Sequence, residues 1–532
     1  MVLSRHPISL TPMKNTLFLL FCLSILLLLG SCRNDIDPPK DSPTVIPAYY
    51  IDNLCSHVDE GGNLVFSWQY VNDGFDHLDV SITSADGSYS NSFSINDTNQ
   101  TEFEIPVSRD KIYSFSITTY GKDGAKGKSY SDTRFFPSES FQTSLPRIEI
   151  TTKDYEWPDC DYVTHPEQSM GEGITNNDYV MMDMSLYDKD GVLKYSSNGK
   201  NESKIKIRGN TSAYGEKKPY KIKLDKKDDL MSYLTGRSGK QYKDKEWLLM
   251  ASGTSLNTPI GFSVNECMGI EFTPSYSYVE LFINGDYRGI YLLVESIKQG
   301  NTDGDKQSRC AVADDGFIIE NDPYWWNEDV YFRTDKYHKN ITFKYPDSDD
   351  ITAEQINYIK NYLNTFEKAL AKPDDSYLQY IDADSFVAWV MVHEYIGCYD
   401  AGGSNQYMIK RNSTDETKLE MTTAWDFDWI MSSYDKDKSA NMNRSSFFYS
   451  RLLLRKESFK SLCKSKYTET KDSVLSFIHS KLDALDSAAI NAAGQNNAIR
   501  WQCDAPTVEQ QLQAVDTWFA SRLKWMDIEY GK

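Results

Sequence analysis

A two-part chain is predicted, an all-β sandwich followed by an α+β domain that ends in helices, and three observations predict it. Alternating apolar and polar runs recur early, as in Leu64-Val65-Phe66-Ser67-Trp68 and Tyr113-Ser114-Phe115-Ser116-Ile117. Regularly spaced period-two runs separated by Gly, Asn, Asp and Ser build antiparallel sandwiches. Asn284-Gly285 stands between two further apolar runs that close at Ile283 and open at Asp286, the strongest short-range signal for a hairpin. From Thr352 the period lengthens to about three and a half, so that Ile356, Ile359, Leu363, Phe366 and Leu370 share one helical face.

At 532 residues the chain exceeds what one core usually holds, so two or three domains are expected. Its net charge of −20 argues against a nucleic-acid partner, because phosphate backbones are bound through an excess of Lys and Arg. Arg5 and Lys14 precede a short apolar run, Leu17 to Leu29, and Leu29-Gly30-Ser31-Cys32 resembles a bacterial lipobox. Residues 1–31 therefore read as a lipoprotein signal peptide, Cys32 as the lipidated first residue of the mature chain, and 32–42 as a tether. The run is too short for a stable membrane span. The expected location is extracytoplasmic, lipid-anchored to a bacterial membrane, either periplasmic or surface-exposed; a plain secretory signal with a coincidental Cys is the rival. Of nine cysteines, setting aside Cys22 and Cys32 leaves seven with no Cys-x-x-Cys pair, which predicts buried free thiols rather than a disulfide framework or a zinc site.

Residues 43–137 carry the sandwich pattern and no catalytic cluster; a spacer is expected, with a binding module as the alternative. Trp68, the strand-like run from Tyr113 and the Tyr120-Gly121-Lys122-Asp123-Gly124 turn resemble a fibronectin type III domain. Beyond the linker, Lys204 to Arg208 and Tyr220 to Leu224 read as strands joined by a Gly-bracketed loop, with lysines alternating on the returning strand. Such a loop can fold over phosphate oxygens through backbone N–H groups and one Lys; a solvated basic edge is the competing reading. Lys221 and Lys223 share a face of that strand. Asn257 to Met268 reads as a helix, and Phe317 to Asp322 as a strand ending in acids. Thr352 and Gln355 have the spacing of a capping box. Asp384 is expected to cap a helix from Ser385 to Ile396 that is apolar nearly all round, hence buried. His393 on that helix reads as a core residue rather than a catalytic one.

That helix leads into a Gly-rich segment holding Asp400 and Asn405, and Asp426 follows an apolar run. Hard oxygen donors gathered this way suit Mg²⁺ better than zinc. The spacing is similar to that of protein kinases, in which one Asp takes the acceptor proton while an Asn and a later Asp hold metal. Alone, Asp-x4-Asn is equally the composition of an ordinary turn.

Taken in order, Arg208-Gly209-Asn210-Thr211-Ser212, Lys217-Lys218-Pro219-Tyr220-Lys221-Ile222-Lys223-Leu224, Asn284-Gly285-Asp286-Tyr287-Arg288-Gly289, Glu295 and Trp425-Asp426-Phe427-Asp428 resemble the CotH-type (spore coat protein H) atypical kinases. The resemblance implies a protein-kinase-like fold over residues 145–532, ATP and Mg²⁺ as cofactors, and Asp400 as the catalytic aspartate. It implies Asn405 and Asp426 as metal ligands, with Asp428 as a further ligand or a supporting acid. Lys218, Lys221 or Lys223 would hold phosphate, and Arg208 and Glu295 fall in the family's nucleotide-binding motifs. One position departs from the family pattern Asn-x-Asp, where this chain has Cys398-Tyr399-Asp400. The expected activity is transfer of the ATP γ-phosphate to a protein Ser or Thr; the alternative is a weak or inactive kinase-like scaffold that binds a cell-envelope or glycan partner.

Overall fold

The computed structural model describes residues 49–531 apart from 72, 165–171, 198, 201, 240–241, 301–308, 399–404 and 432–447. The signal peptide, the tether and Cys32 lie outside the described residues, as does Asp400. The chain divides into Met1–Ile46 and Pro47–Lys532, and all that follows concerns the second unit. Among the described residues no helix is long and apolar enough to cross a membrane.

The chain is multidomain in build: a sheet-rich N-terminal region, further sheets, and a helical C-terminal part. The first strands, β1 (Ile51–Val58), β2 (Asn63–Tyr70), β3 (Phe75–Ser84), β4 (Ser90–Ile95), β5 (Glu102–Pro106), β6 (Ile112–Gly121) and β7 (Lys126–Phe135), form two sheets, β1-β2-β5 and β4-β3-β6-β7. Their inward residues, Phe66, Trp68, Val80, Ile82, Phe115 and Ile117 among them, share one core. This is the alternation read from the sequence, because side chains two apart on a strand face the same side.

The next strands are β8 (Arg147–Thr152), β9 (Asp161–Thr164), β10 (Glu172–Thr175), β11 (Val180–Tyr187), β12 (Leu193–Ser196), β13 (Ser203–Ile207), β14 (Tyr220–Asp228), β15 (Asp244–Met250), β16 (Tyr276–Ile283) and β17 (Asp286–Glu295). Apart from the β9–β10 pair they form a sheet in the order β12-β11-β13-β14-β15-β17-β16-β8. It closes on itself, because β8 pairs in parallel with β16 and antiparallel with β11. Ile150, Met182, Ile205, Ile222, Trp247, Leu281 and Leu293 fill the inside. Closure leaves one outer face for the rest of the molecule. On it, register sets Lys204 opposite Lys223, Lys206 opposite Lys221, and Lys223 opposite Glu246. The β16–β17 turn has Asn284 at φ 51° and Gly285 at φ 79°, the left-handed pair a two-residue hairpin demands.

A second sheet, β18 (Phe317–Asn321), β19 (Tyr331–Arg333), β20 (Asn340–Tyr345), β21 (Gln406–Lys410) and β22 (Leu419–Met421), has the order β19-β20-β18-β21-β22. Around it pack α1 (Asn257–Met268), α2 (Ala353–Leu370), α3 (Ala383–Ile396), α4 (Glu457–Thr470), α5 (Val474–Leu482), α6 (Ser487–Trp501) and α7 (Val508–Tyr530). The capping box at α2 is formed, with Gln355 N–H donating to Thr352 Oγ1 and Thr352 N–H to Gln355 Oε1. The cap of α3 is Asp382 and not Asp384: Ser385 N–H donates to Asp382 Oδ1 at 2.8 Å. Asp384 falls inside the first turn, where its charge favours the helix dipole.

The sandwich is bound to the rest through buried charge. Phe135 N–H donates to Asp286 Oδ1 at 2.7 Å, and Arg500 of α6 donates to Thr133 Oγ1 at 2.7 Å and to the Tyr287 carbonyl at 2.8 Å. Arg288 lies 2.8 Å from Asp286, both fully enclosed. The guanidinium of Arg134 stacks 3.6 Å from the Trp157 ring centroid.

Candidate active site

The site is assembled where α3, β18, β21 and the segment after β22 converge. The helix α3 is buried through Phe386, Val387, Trp389, Val390 and Met391 and ends at Gly397, φ 55°. A left-handed glycine stops a helix cleanly. His393 is 3% exposed, with the Trp389 ring centroid at 3.8 Å, and burial pushes its imidazole down to about 3. It is a neutral core residue.

Across the residues that lie outside the description, the chain re-enters at Asn405 and at once pairs as β21, Gln406 opposite Asn321 of β18. Asn405 has φ 62° and Asp426 φ 64°, the left-handed region that L-residues enter at a cost and that Asn and Asp tolerate best. Two such residues face each other: Asn405 Nδ2 donates to Asp426 Oδ2 at 3.2 Å. Asn405 N–H donates to Glu320 Oε1 at 3.3 Å. Strain of this kind is kept where the surroundings over-determine the backbone.

What over-determines Asp426 is visible. Trp425 and Phe427, on either side, are buried, and Phe262 of α1 contacts both rings at centroid distances of 5.9 and 5.6 Å. Phe427 lies flat over Gly261, where an added Cβ would meet the ring at 2.4 Å. Asn265 of α1 donates to Thr423 Oγ1 at 2.8 Å and to the Ala424 carbonyl at 3.0 Å. Asn257 donates to the Asp428 carbonyl at 3.2 Å. Thus α1 grips the chain before and after the aspartate and leaves its carboxyl turned to Asn405. Burial raises the Asp426 carboxyl, while the Asp428 N–H, the Arg208 charge and the Asn405 amide act against that rise.

Arg208 is brought in by the loop after β13. Gly209 has φ 84°, and Thr211 Oγ1 shares a 2.8 Å hydrogen bond with the Tyr324 hydroxyl. Tyr324 N–H in turn donates to Asp322 Oδ1 at 2.8 Å. The Gly-bracketed loop is thereby tied to the acidic end of β18. There Glu320 is 5% exposed and 3.2 Å from Lys344, which lies 3.7 Å from Glu328. Burial, with Asp322 and Glu328 adding, pushes Glu320 up to about 7 against Lys344. Glu328 also acts on Lys206, whose ammonium burial and Lys221 push downward. The lysine face of β13 and β14 therefore looks toward this acidic end.

Of the residues expected from sequence, the structure brings together Asn405, Asp426 and Arg208. Lys221 and Lys223 stand on the lysine face and share Glu246, at 3.0 and 3.5 Å. Lys218 turns elsewhere, donating to the Tyr162 hydroxyl and to the Ala213 carbonyl at 2.7 Å. Glu295 is enclosed by Arg237 at 2.7 Å and Arg309 at 3.6 Å, a buried ionic network away from Asp426. Asp428 is exposed, and its backbone is held to the site through its carbonyl and N–H. Among the described residues no three His, Cys, Asp or Glu side chains cluster as a metal site. Glu320, Lys344 and Lys206 were not singled out from sequence; the alternating lysines at 204 and 206 and the acids ending at Asp322 were signals that could have found Lys206 and Glu320, and Lys344 had none.

A family model described as CotH kinase protein matches residues 205–526. No curated protein matches the chain. Among solved structures, one titled "Myokine structure" is 14% identical, covering 16% of this chain and 96% of its own, with a TM-score of 0.15. The twitchin kinase region from C. elegans is 9% identical, covering 89% of this chain and 74% of its own, with a TM-score of 0.23.

Proposed function

The chain belongs to the CotH kinase protein family, and on that premise we propose that it is an ATP-dependent kinase acting outside the cytoplasm. The γ-phosphoryl group would pass to a protein Ser or Thr, the chain being anchored by lipid at Cys32 behind a fibronectin III-like sandwich. One observation carries the reading. Asn405 and Asp426, 21 residues apart in sequence, meet side chain to side chain, both in left-handed backbone, within reach of the Arg208 charge.

The donor set fits a hard divalent cation. It offers a carboxylate and an amide oxygen, in a place where burial already disfavours an uncompensated negative charge. Mg²⁺ is commonly held by one or two carboxylates together with substrate phosphates rather than by a full protein cage. Asn405 and Asp426 would hold it, and it would supply charge neutralisation at the phosphates. Arg208 and the lysines of β13 and β14 add positive charge for the same phosphates. The Thr211–Tyr324 bond fixes the loop that carries Arg208. In transfer, the bond from the γ-phosphorus to the ADP oxygen breaks, a bond to the acceptor hydroxyl oxygen forms, and Asp400 takes the hydroxyl proton. Positioning and electrostatics supply most of the acceleration in such chemistry.

Thermal unfolding of the soluble mature chain with and without Mg²⁺-ATP, beside Asp426→Ala, tests the reading. A ligand bound only by the folded state stabilises it by about 2.7 kcal/mol at about a hundredfold excess over its dissociation constant. A shift in the parent and none in Asp426→Ala is expected. No shift in either would refute the kinase reading and favour the binding scaffold. Given a shift, transfer of labelled phosphate to protein Ser or Thr is the second readout.

A further inference from the structure

A cavity of about 690 Å³ opens at the N-terminal end of α1, walled by residues 251–255, the end of α6 and the start of α7. Lys217, Ser252, Asn257, Asn497, Trp501 and Ala514 line it. None of the residues proposed above for phosphoryl transfer does so. Cavities of this size hold small organic molecules, mostly through apolar walls and a few placed polar groups.

Among the described residues of its lining the one cationic group is Lys217. The Nζ donates to the Ile290 carbonyl and, at 2.8 Å, to Asn497 Oδ1, and stands 4.7 Å from the Tyr291 ring centroid. Those two acceptors take two of the three N–H bonds an ammonium carries. Burial pushes Lys217 down to about 7; the Cys503 thiol opposes the shift, and Arg288 and Arg500 add to it. The charge behind the floor is one-sided, with Arg134, Arg288 and Arg500 set against Asp132 and Asp286. Ser252 is among the lining residues, and its hydroxyl, shielded from the cavity itself, has no hydrogen-bond partner among the described residues. The remaining charged groups of the lining, Glu216 and Asp504, are exposed.

We infer that this cavity binds a small organic monoanion, its charged head on Lys217 and its apolar body along Trp501 and Ala514. The site is separate from the proposed nucleotide cleft and does not depend on the kinase reading. It touches that cleft at one point: Asn257 lines the cavity and holds the Asp428 carbonyl at 3.2 Å.

The test is a fluorescence titration of the soluble mature chain with 8-anilinonaphthalene-1-sulfonate, an aromatic monoanion, and displacement by benzoate or decanoate. Parent protein is expected to bind the probe about tenfold more tightly at about pH 6 than at about pH 8.5, as the Lys217 ammonium is lost. Lys217→Met should weaken binding about tenfold at the lower pH and flatten the pH dependence, while Lys217→Arg keeps tight binding and also flattens it. Ala514→Trp, which fills the cavity and leaves Lys217 in place, should abolish binding and serves if Lys217→Met does not fold. The inference is overturned if parent binds no probe, if folded Lys217→Met binds as the parent does, if Ala514→Trp binds unchanged, or if ADP displaces the probe and so places it in the nucleotide cleft.

Discussion

At the scale of single residues, two side chains show how backbone strain and burial separate function from stability. Asn405 sits at φ 62°, where a residue with a Cβ is strained by about 1–2 kcal/mol relative to glycine. Asn405→Ala keeps the strain and loses the amide; Asn405→Gly loses both. The glycine variant is expected to be the more stable of the two by about 1 kcal/mol in urea unfolding. Neither should show the Mg²⁺-ATP shift of the parent; a shift retained in either would remove Asn405 from the metal site. His393 makes a pH-dependent case. Burial holds its folded-state pKa down at about 3, whereas the unfolded chain takes up the proton near about 6.5. Between those values the unfolded state binds more protons, so stability is full above about pH 6.5 and falls as pH drops toward about 3, by up to about 1.4 kcal/mol per unit. His393→Phe, which keeps a ring beside Trp389, should move the acid-unfolding midpoint to lower pH. An unchanged midpoint would mean that the imidazole is not buried neutral.

At the scale of elements, α1 is the part whose role was least legible in sequence. Its span, Asn257 to Met268, is as read from the residues, but what it does depends on Gly261 admitting the Phe427 ring. Glycine to alanine inside a helix ordinarily stabilises by about 1 kcal/mol. Here the new Cβ would stand 2.4 Å from ring atoms, so Gly261→Ala is expected to destabilise by about 1–3 kcal/mol in the manner of overpacked cores, and to weaken nucleotide-dependent stabilisation by shifting Asp426. Adding Phe427→Leu should cost less than the sum of the two single changes, because neighbours that clash do not add; strict additivity would show that the two do not touch. Signals contained in a few adjacent residues were readable. The Asn284-Gly285 turn and the Thr352–Gln355 box carry their geometry in their own spacing. The start of α3 was misplaced by two residues because Asp382 and Asp384 are equally good caps in sequence and only the fold selects one. Closure of the sheet through β8, and the meeting of Glu320 with Lys344 and Asn405, rest on contacts between distant strands that no local period encodes. Lys218 was a candidate through the family resemblance of the Lys217–Leu224 motif, yet it precedes the strand and turns to Tyr162 and Ala213.

At the scale of the whole molecule, the sandwich and the family-matched region are joined by charges that neither could bury alone. Arg134 and Asp132 come from β7, Arg288 and Asp286 from β17, and Arg500 from α6. Arg288, Arg500 and Asp286 have no side-chain exposure. Coulombic attraction from Arg134, Arg288 and Arg500 outweighs burial and holds Asp132 well below the usual carboxylate range. Three guanidiniums on two carboxylates are already short of negative charge. Removing one partner of a buried ion pair costs about 3–5 kcal/mol because the other is left uncompensated. Asp286→Asn, which keeps the size of the side chain and an oxygen for the Phe135 N–H, is therefore expected to destabilise by about that amount. The whole described unit should unfold with it. Far-ultraviolet ellipticity and the fluorescence of Trp68 in the sandwich should report one coincident transition, moved together to lower urea concentration. A Trp68 transition that stays in place while the ellipticity of the helical part moves would mean that the sandwich folds independently and that the buried charges do not join it to the rest.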